Sequence, residues 1–199
     1  MKDSALTAAV YDGFMAVFEP FLMKKWRREL WSRVEPSRIL EAGVGTGLNV
    51  PFYRKEYDIT ALDVNEHFLE RARRRARGKS IDAEFIAADV RDIPFSDNTF
   101  DSAVTTFLFC QLHDPVKGLE ELKRVLKPGG RLLLLEHVKP QGRLENLVSS
   151  LSGPIYRLTG EHIAQDTDIY AEEAGFAKVS ARPLLMNVVK IIEAEKPAS

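Results

Sequence analysis

A glycine-rich turn between residues 38 and 53 constrains this chain more than any other feature. The sequence RILEAGVGTGLNVPFY begins with a short apolar run, passes through Glu41, and places glycines at positions 43, 45 and 47. Glycine adopts positive φ angles without strain and lets the backbone approach a bound molecule closely. The pattern therefore predicts a strand, a tight turn and a helix that begins at a ligand site. Free N–H groups at such a helix N-terminus favour an anionic group on the ligand.

The glycine spacing differs from that of dinucleotide-binding proteins. Their G-x-G-x-x-G fingerprint would require glycine at position 48, where this chain has Leu48. The order here is E-x-G-x-G-x-G, with an acid entering the turn. A nicotinamide-dependent oxidoreductase is therefore the disfavoured alternative.

Strand-like and helix-like segments alternate after the turn. Strand patterns cover 57–62, 83–88, 100–106 and 131–135, and helix patterns cover 66–77, 115–126 and 166–174. Such alternation predicts an α/β fold with a doubly wound, mostly parallel sheet and right-handed crossovers. The last two strand patterns, 176–181 and 186–194, are so close in sequence that an antiparallel pair is expected.

Acidic residues stand at the ends of the first three strands. Glu41 enters the first turn, Asp63 ends the second strand and Asp89 ends the third. The carboxyl ends of parallel strands meet at one edge of a sheet, so these acids predict a ligand crevice there. An acid ~20 residues past the glycine turn accepts hydrogen bonds from ribose hydroxyls. Asp63 is predicted to do this, and Asp89 with Val90 to lie at an adenine.

Four segments resemble the ordered motifs of the S-adenosylmethionine (SAM) methyltransferases related to ubiquinone and menaquinone biosynthesis. They are ILEAGVGTG, ITALDVNEHFLERA, FIAADVRDIPFSDNTFDSAVTTF and ELKRVLKPGGRLLLLEH, and they span about residues 36–138. The pieces VGTGLNVPFY and LEHVKP are similar to bacterial phospholipid N-methyltransferases and to membrane-associated thiol methyltransferases. The resemblance implies a seven-stranded Rossmann-like sheet with a C-terminal antiparallel strand and an N-terminal helical lid.

The resemblance also implies SAM as cofactor and S-adenosylhomocysteine (SAH) as product. It places the glycine turn around the methionine moiety, Asp63 on the ribose, and Thr106 and Phe107 where the fourth strand opens toward the methyl group. The cofactor-binding set that it implies is Tyr11, Glu41, Gly43, Gly45, Thr46, Gly47, Asp63, Val64, Asn65, Asp89, Val90, Thr106 and Phe107.

Catalysis by such a site rests mainly on alignment. The sulfonium of SAM makes its methyl group electrophilic, so the protein mainly has to position the nucleophile in line with it. An amine acceptor must arrive neutral, and a side chain can take its proton. His113, just past the fourth strand, is the first candidate and Tyr11 the second, while a structural role for His113 stays open. No metal site is predicted, because the histidines lack ligand spacing.

The remaining segments are predicted to bind the methyl acceptor. Residues 1–35 are predicted to form a helical lid, and 36–199 the SAM-binding domain, with 139–165 as a substrate-side insertion. In the lid, Leu22, Trp26 and Leu30 form an apolar stripe on a helix. The cations between them are Lys24, Lys25, Arg27 and Arg28. Two interpretations stay open: residues 14–31 contact an anionic membrane surface, or the helix covers the sheet and its cations are solvated.

The composition of the chain limits the classes of partner that it can bind. The net charge of −1 gives no global attraction for nucleic acid, and the arginine-rich stripe of the helix at 66–77 is interpreted as a solvated face. One cysteine excludes an internal disulfide, and no apolar stretch reaches the ~20 residues of a membrane span. We expect a cytoplasmic protein, and peripheral attachment to the inner face of the membrane stays open.

The sequence thus predicts SN2 methyl transfer to an amphipathic acceptor. A phospholipid amine, as in N-methylation of phosphatidylethanolamine, is the first choice. A quinone precursor, a small thiol, or a SAM-binding protein without catalysis are the alternatives. The acceptor site itself falls in segments 1–35 and 139–165, where recognisable motifs end.

Overall fold

The computed structural model describes residues 23–138, 166–185 and 189–198. The helices are α1 (Lys24–Trp31), α2 (Glu66–Lys79), α3 (Pro115–Val125) and α4 (Thr167–Glu173). The strands are β1 (Arg38–Ala42), β2 (Asp58–Asp63), β3 (Glu84–Ala87), β4 (Phe100–Thr106), β5 (Leu126–His137), β6 (Ala177–Leu185) and β7 (Val189–Glu195). Short 3₁₀ turns cover Val50–Phe52 and Phe109–Gln111.

Seven strands of the described residues form one mixed sheet in the order β3-β2-β1-β4-β5-β7-β6. The first five are parallel, and β7 runs antiparallel to both β5 and β6. The predicted fold class and the antiparallel C-terminal pair are confirmed. β5 begins at Leu126, earlier than predicted, because the glycines at 129–130 form an irregularity opposite β4 instead of a turn before the strand.

Each face of the sheet is buried under helices, as a parallel sheet requires. Side chains alternate between faces along a strand, so Ile39 packs with α1 and α2 while Leu40 packs with α3 and α4. We call these the α1 face and the α3 face. Glu41 and Thr106 continue the alternation onto the α1 face, which places two polar residues of adjacent strands on the same side.

Side chains cap the N-termini of two helices. The side chain of Asn65 accepts hydrogen bonds from the backbone N–H groups of His67 and Phe68, at 3.0 and 3.3 Å. Asp114 accepts one from Lys117 at 3.2 Å, with Pro115 as the first residue of α3. Both caps fix where a helix begins at the carboxyl edge of the sheet.

The basic side chains of α1 and α2 are not all exposed to solvent or a surface, as the sequence analysis expected. On α1, Arg27 is buried while Lys24, Lys25 and Arg28 are exposed, so the four cations do not share a solvated face. On α2, Arg75 is half-buried and donates to the carbonyl of Thr46 at 2.8 Å. The long stems of both side chains pack along protein while their planar guanidinium groups bond internal oxygens.

Within the part of the chain that the structure covers, no helix combines the length and the apolar character needed to cross a bilayer. Tyr11, Leu22, most of the predicted lid and the whole insertion 139–165 lie outside the described residues.

Candidate functional site

The glycine turn has the backbone that its sequence predicts. The φ angles of Gly43, Gly45 and Gly47 are 72°, 55° and 83°. A Cβ at Gly47 would lie 2.8 Å from the Cα of Ala72, so the turn packs tightly against α2. At Gly45 a Cβ would have none of the described residues within 4 Å. The middle of the turn therefore borders open space that a ligand can fill.

Asp63 ties the end of β2 to this turn. One carboxylate oxygen accepts from the N–H of Gly45 and the other from the N–H of Asn65, both at 2.9 Å. Beside it, Val64 is 64% exposed, one of the large apolar side chains left open to solvent. The structure thus places a half-buried acid and an apolar surface next to each other at the carboxyl edge of the sheet.

Asp89 is already paired with a cation. Its carboxylate accepts a hydrogen bond from the backbone N–H of Arg91 at 2.8 Å. The guanidinium of Arg91 donates to the same carboxylate at 2.6 and 3.0 Å. These bonds to Arg91 lower the pKa of Asp89. The neighbouring Val90 is buried. Any amine that Asp89 binds must therefore share the carboxylate with Arg91.

A chain of buried polar groups lies directly beneath the glycine turn, on the α1 face. Asn49 donates to Glu41 at 2.6 Å and to the hydroxyl of Thr106 at 3.0 Å. Arg27 donates to Thr106 at 2.7 Å and to the side-chain oxygen of Asn49 at 3.0 Å, and Tyr53 donates to the second oxygen of Glu41. We call these five residues the buried polar network. It joins α1, β1, β4 and the segment after the turn.

Glu41 is the acid of this network, and it is 0% exposed. Burial raises its pKa to about 7, although the bonds from Tyr53 and Asn49 and the charge of Arg27 act in the opposite direction. Burial and the neighbouring Glu41 raise the pKa of Tyr53 well above its usual value. The carboxyl group of Glu41 therefore changes charge near neutral pH and is linked to the crevice through its partners.

The end of β4 carries an aromatic wall. Phe107 has a φ of 55°, and its N–H donates to the carbonyl of Leu135 at 2.8 Å. Its ring centroid lies 4.5 Å from that of His137 and 5.5 Å from the guanidinium of Arg27. Burial lowers the pKa of His137 to about 4, so this imidazole is neutral at physiological pH. His137 ends β5 next to the strand that was predicted to face the methyl group.

On the α3 face, Glu136 anchors the loop that follows β4. Its carboxylate accepts from the N–H groups of Leu108 and Phe109 at 2.9 and 3.2 Å. The side chain is fully buried, and burial raises its pKa to about 7. The loop that continues from Phe107 is therefore fixed by a carboxylate from the adjacent strand.

The structure brings some predicted residues together and separates others. Glu41 and Thr106 meet in the buried polar network, and Phe107 lies under Arg27. Gly45 and Asp63 meet at the turn, whereas His113 is exposed beyond the 3₁₀ turn, and Tyr11 lies outside the described residues.

Residues that the sequence analysis did not assign to the site are Arg27, Asn49, Tyr53 and Glu136. The acid of LLLLEH directly follows an apolar run of four leucines, which was a signal in the sequence for Glu136.

Several known proteins are similar to this chain in sequence. A family profile described as a methyltransferase domain matches residues 40–134. A demethylmenaquinone methyltransferase of Clavibacter sepedonicus is 34% identical over 198 residues, covering 87% of this chain and 80% of the relative. A thiol S-methyltransferase of Rattus norvegicus is 32% identical, covering 79% and 70%. A phosphatidylethanolamine N-methyltransferase of Cereibacter sphaeroides is 34% identical over 102 residues, half of each chain.

A solved structure extends the likeness to the fold. The SAM-dependent methyltransferase of Thermotoga maritima, titled a possible histamine N-methyltransferase, matches with a TM-score of 0.77 and 19% identity. The match covers 96% of this chain and 97% of that one. Together with the glycine turn and the acids at the strand ends, these relatives show that the chain belongs to the SAM-dependent methyltransferases of the ubiquinone and menaquinone biosynthesis group.

Proposed function

We propose that this methyltransferase modifies an amphipathic acceptor at a membrane surface, with a phospholipid amine of the phosphatidylethanolamine type as first candidate. The observation that carries the proposal is the division of cations on α1. Arg27 turns inward to the buried polar network, while Lys24, Lys25 and Arg28 are exposed. The helix that contacts the cofactor edge therefore presents three cations to solvent. Each exposed cation contributes about 1 kcal/mol to the free energy of binding an anionic bilayer.

The space around Gly45 suits SAM, because the acceptor carboxylate of Asp63 lies beside an open position of the turn. When bound, SAM supplies an electrophilic methyl group on a sulfonium. Asp63 would accept the ribose hydroxyls, and Val64 would cover one face of the adenine. The open position at Gly45 would take the methionine moiety. We propose Asp89 and Val90 for the far side of the adenine.

The chain's own residues then have to orient the acceptor and remove a proton. Phe107 and His137 form a wall that excludes water beside the end of β4. An amine attacks only in its neutral form, so a proton must leave before or during transfer. His113 and Tyr11 remain our candidates for accepting it. His137 joins them because it is neutral and stacked on Phe107.

The entrance for the acceptor is proposed to lie between two segments. Residues 1–35 would act as a helical lid, of which α1 is the described part, and 139–165 would form the opposite wall. The apolar residues of these segments suit an acyl chain. Examples are Phe14, Phe18, Leu147 and Leu151.

A quinone precursor is the second candidate. The observation favouring it is that the demethylmenaquinone methyltransferase relative matches 87% of this chain, whereas the phosphatidylethanolamine relative matches half. A lipophilic thiol is third, supported by the thiol S-methyltransferase relative. One experiment tests all three candidate acceptors.

The purified protein should be incubated with labelled SAM and, in separate reactions, phosphatidylethanolamine vesicles, a demethylated menaquinone and a lipophilic thiol. Methyl label recovered in the phospholipid supports the first candidate. Label found only in the quinone or only in the thiol replaces it.

Vesicle sedimentation tests the membrane surface. The variant with Lys24, Lys25 and Arg28 changed to Gln should bind anionic vesicles more weakly than wild type at low salt. Its matched control changes three exposed cations of α2, namely Arg74, Arg77 and Lys79, to Gln. Equal binding by the two variants, or no binding by wild type, contradicts the membrane proposal.

A further inference from the structure

Arg27 is a cation of α1 buried against the ends of two strands. Its exposure is 3%, whereas Arg28, the next residue on the same helix, is exposed. A buried guanidinium is costly unless hydrogen bonds and an opposite charge compensate it. In this structure the compensation comes from residues of the cofactor edge, which makes α1 part of that edge.

Arg27 determines the state of the Thr106 hydroxyl. That oxygen accepts from Arg27 at 2.7 Å and from the side chain of Asn49 at 3.0 Å. A hydroxyl oxygen has two lone pairs, so both are used and its own proton is left to donate elsewhere. The guanidinium also lies over the ring of Phe107, 5.5 Å from its centroid, where a cation is attracted to the π face. Arg27 thus fixes two consecutive residues at the end of β4.

Arg27 also provides positive charge close to Glu41. The groups that face Glu41 are Tyr53 and Asn49 from the segment after the turn, Arg27 from α1, and Asp63 from β2. Among these, Arg27 is the cation and Asp63 the second acid. Asn49 bonds both Glu41 and Arg27, so it joins the two opposite charges.

We propose that Arg27 is a positioning residue for SAM, which fixes Thr106 and Phe107 from α1 and balances the buried carboxylate of Glu41. α1 lies before residues 40–134, the part that the methyltransferase profile matches, so the cofactor site depends on a helix outside that part. The inference rests on SAM binding and does not depend on which acceptor is methylated.

Calorimetry of SAM binding between about pH 6 and about pH 8.5 tests the inference without an acceptor. SAM is a cation at its sulfonium, so wild-type affinity should rise as Glu41 ionises, with a midpoint near its pKa of about 7. Arg27→Gln should weaken binding about tenfold or more, through lost charge-assisted bonds. It should also move the midpoint to higher pH, because Glu41 loses a cation that lowers its pKa.

Two variants separate charge from geometry. Arg27→Lys keeps the charge, so its midpoint should stay at the wild-type pH while affinity recovers only in part. Arg28→Gln, the adjacent exposed position, should behave as wild type in affinity and midpoint. A purely structural role for Arg27 would not move the midpoint.

The inference is overturned if Arg27→Gln matches Arg28→Gln in both affinity and midpoint. The claim that Arg27 balances the charge of Glu41 is overturned if the SAM affinity of the wild-type protein is constant across the pH range. Should Arg27→Gln fail to fold, Thr106→Val removes the shared acceptor and leaves the two charges in place. That variant should bind SAM more weakly with an unchanged midpoint, and wild-type affinity in it contradicts the proposal. Failure of the lipid acceptor assay leaves these outcomes unaffected.

Discussion

The two edges of the sheet differ in how their polar residues are held. At the amino ends of β2 and β3 a groove of about 680 Å³ is lined mainly by exposed charges of both signs. These are Arg54, Lys55, Glu56, Asp58, Asp82 and Glu84. At the carboxyl edge, Glu41, Asn49 and Thr106 are buried and bonded to one another. The volume of a groove alone therefore does not mark the functional edge. Burying interlinked polar groups is costly, and such groups cluster where a ligand needs them.

Substituting Gly45 should separate function from fold most strongly. Gly45→Val places a branched side chain in the open space of the turn, at a φ of 55°, so SAM binding should be lost. Nothing in the described protein lies within 4 Å of the new Cβ, so the fold should persist. Calorimetry and circular dichroism measure the two effects. Gly78→Ala, in α2 with equal space and no positive φ, is the control and should bind SAM normally.

The buried carboxyl groups should make stability fall as pH rises. The pKa values of Glu41 and Glu136 are about 7 in the folded protein against 4.5 when unperturbed. Between these values the unfolded chain releases protons that the folded protein keeps, so the free energy of unfolding drops by roughly 1.4 kcal/mol per pH unit for each group. His137, with a pKa lowered from 6.5 to about 4, acts in the opposite direction below about pH 6.5.

Urea denaturation from about pH 5 to about pH 8 measures this dependence. Glu136→Gln is neutral at every pH, so it should remove about half of the decline attributed to the two glutamates. A variant that keeps the full wild-type decline shows that Glu136 titrates at its ordinary pKa.

The acid at the end of β2 is expected to contribute to cofactor binding, both directly and by holding the glycine turn. Asp63→Ala should weaken SAM binding by ~1–3 kcal/mol, since it removes a charged acceptor beside the turn. Asp82→Ala removes an exposed acid at the opposite edge and is the matched control. Equal affinities of the two variants by calorimetry would remove Asp63 from the site.

The smallest effect is expected at the amino-edge groove. Changing Arg54 and Lys55 together to Gln alters two exposed cations, and stability should stay within about 0.5 kcal/mol of wild type. SAM affinity should be unchanged. A clear loss of SAM affinity in this double variant would show that the amino-edge groove takes part in cofactor binding.

The sequence predicted the parts of the fold that local patterns encode. The order of strands and helices agrees with the alternation of their patterns, and the glycines of the turn have positive φ. Both interpretations of α1 placed Arg27 outward, against a membrane or in solvent, although positions 27, 30 and 31 share one helix face by spacing. Its partner Thr106 is 79 residues away, so no local pattern joined them. Burial of a charge depends on such long-range partners, which one sequence does not reveal.

The reversed direction of β7 decides where the chain leaves the sheet. After β7, Lys196 pairs with the backbone of Gly129 and Gly130, and its ammonium donates to the carbonyl of Leu126 at 2.8 Å. These residues lie at the amino end of β5, so the segment to residue 198 departs on the side opposite the glycine turn. An affinity tag, a fluorophore or a biosensor linker attached beyond this point would emerge away from the cofactor crevice. Immobilised or labelled protein is therefore expected to keep its SAM site open.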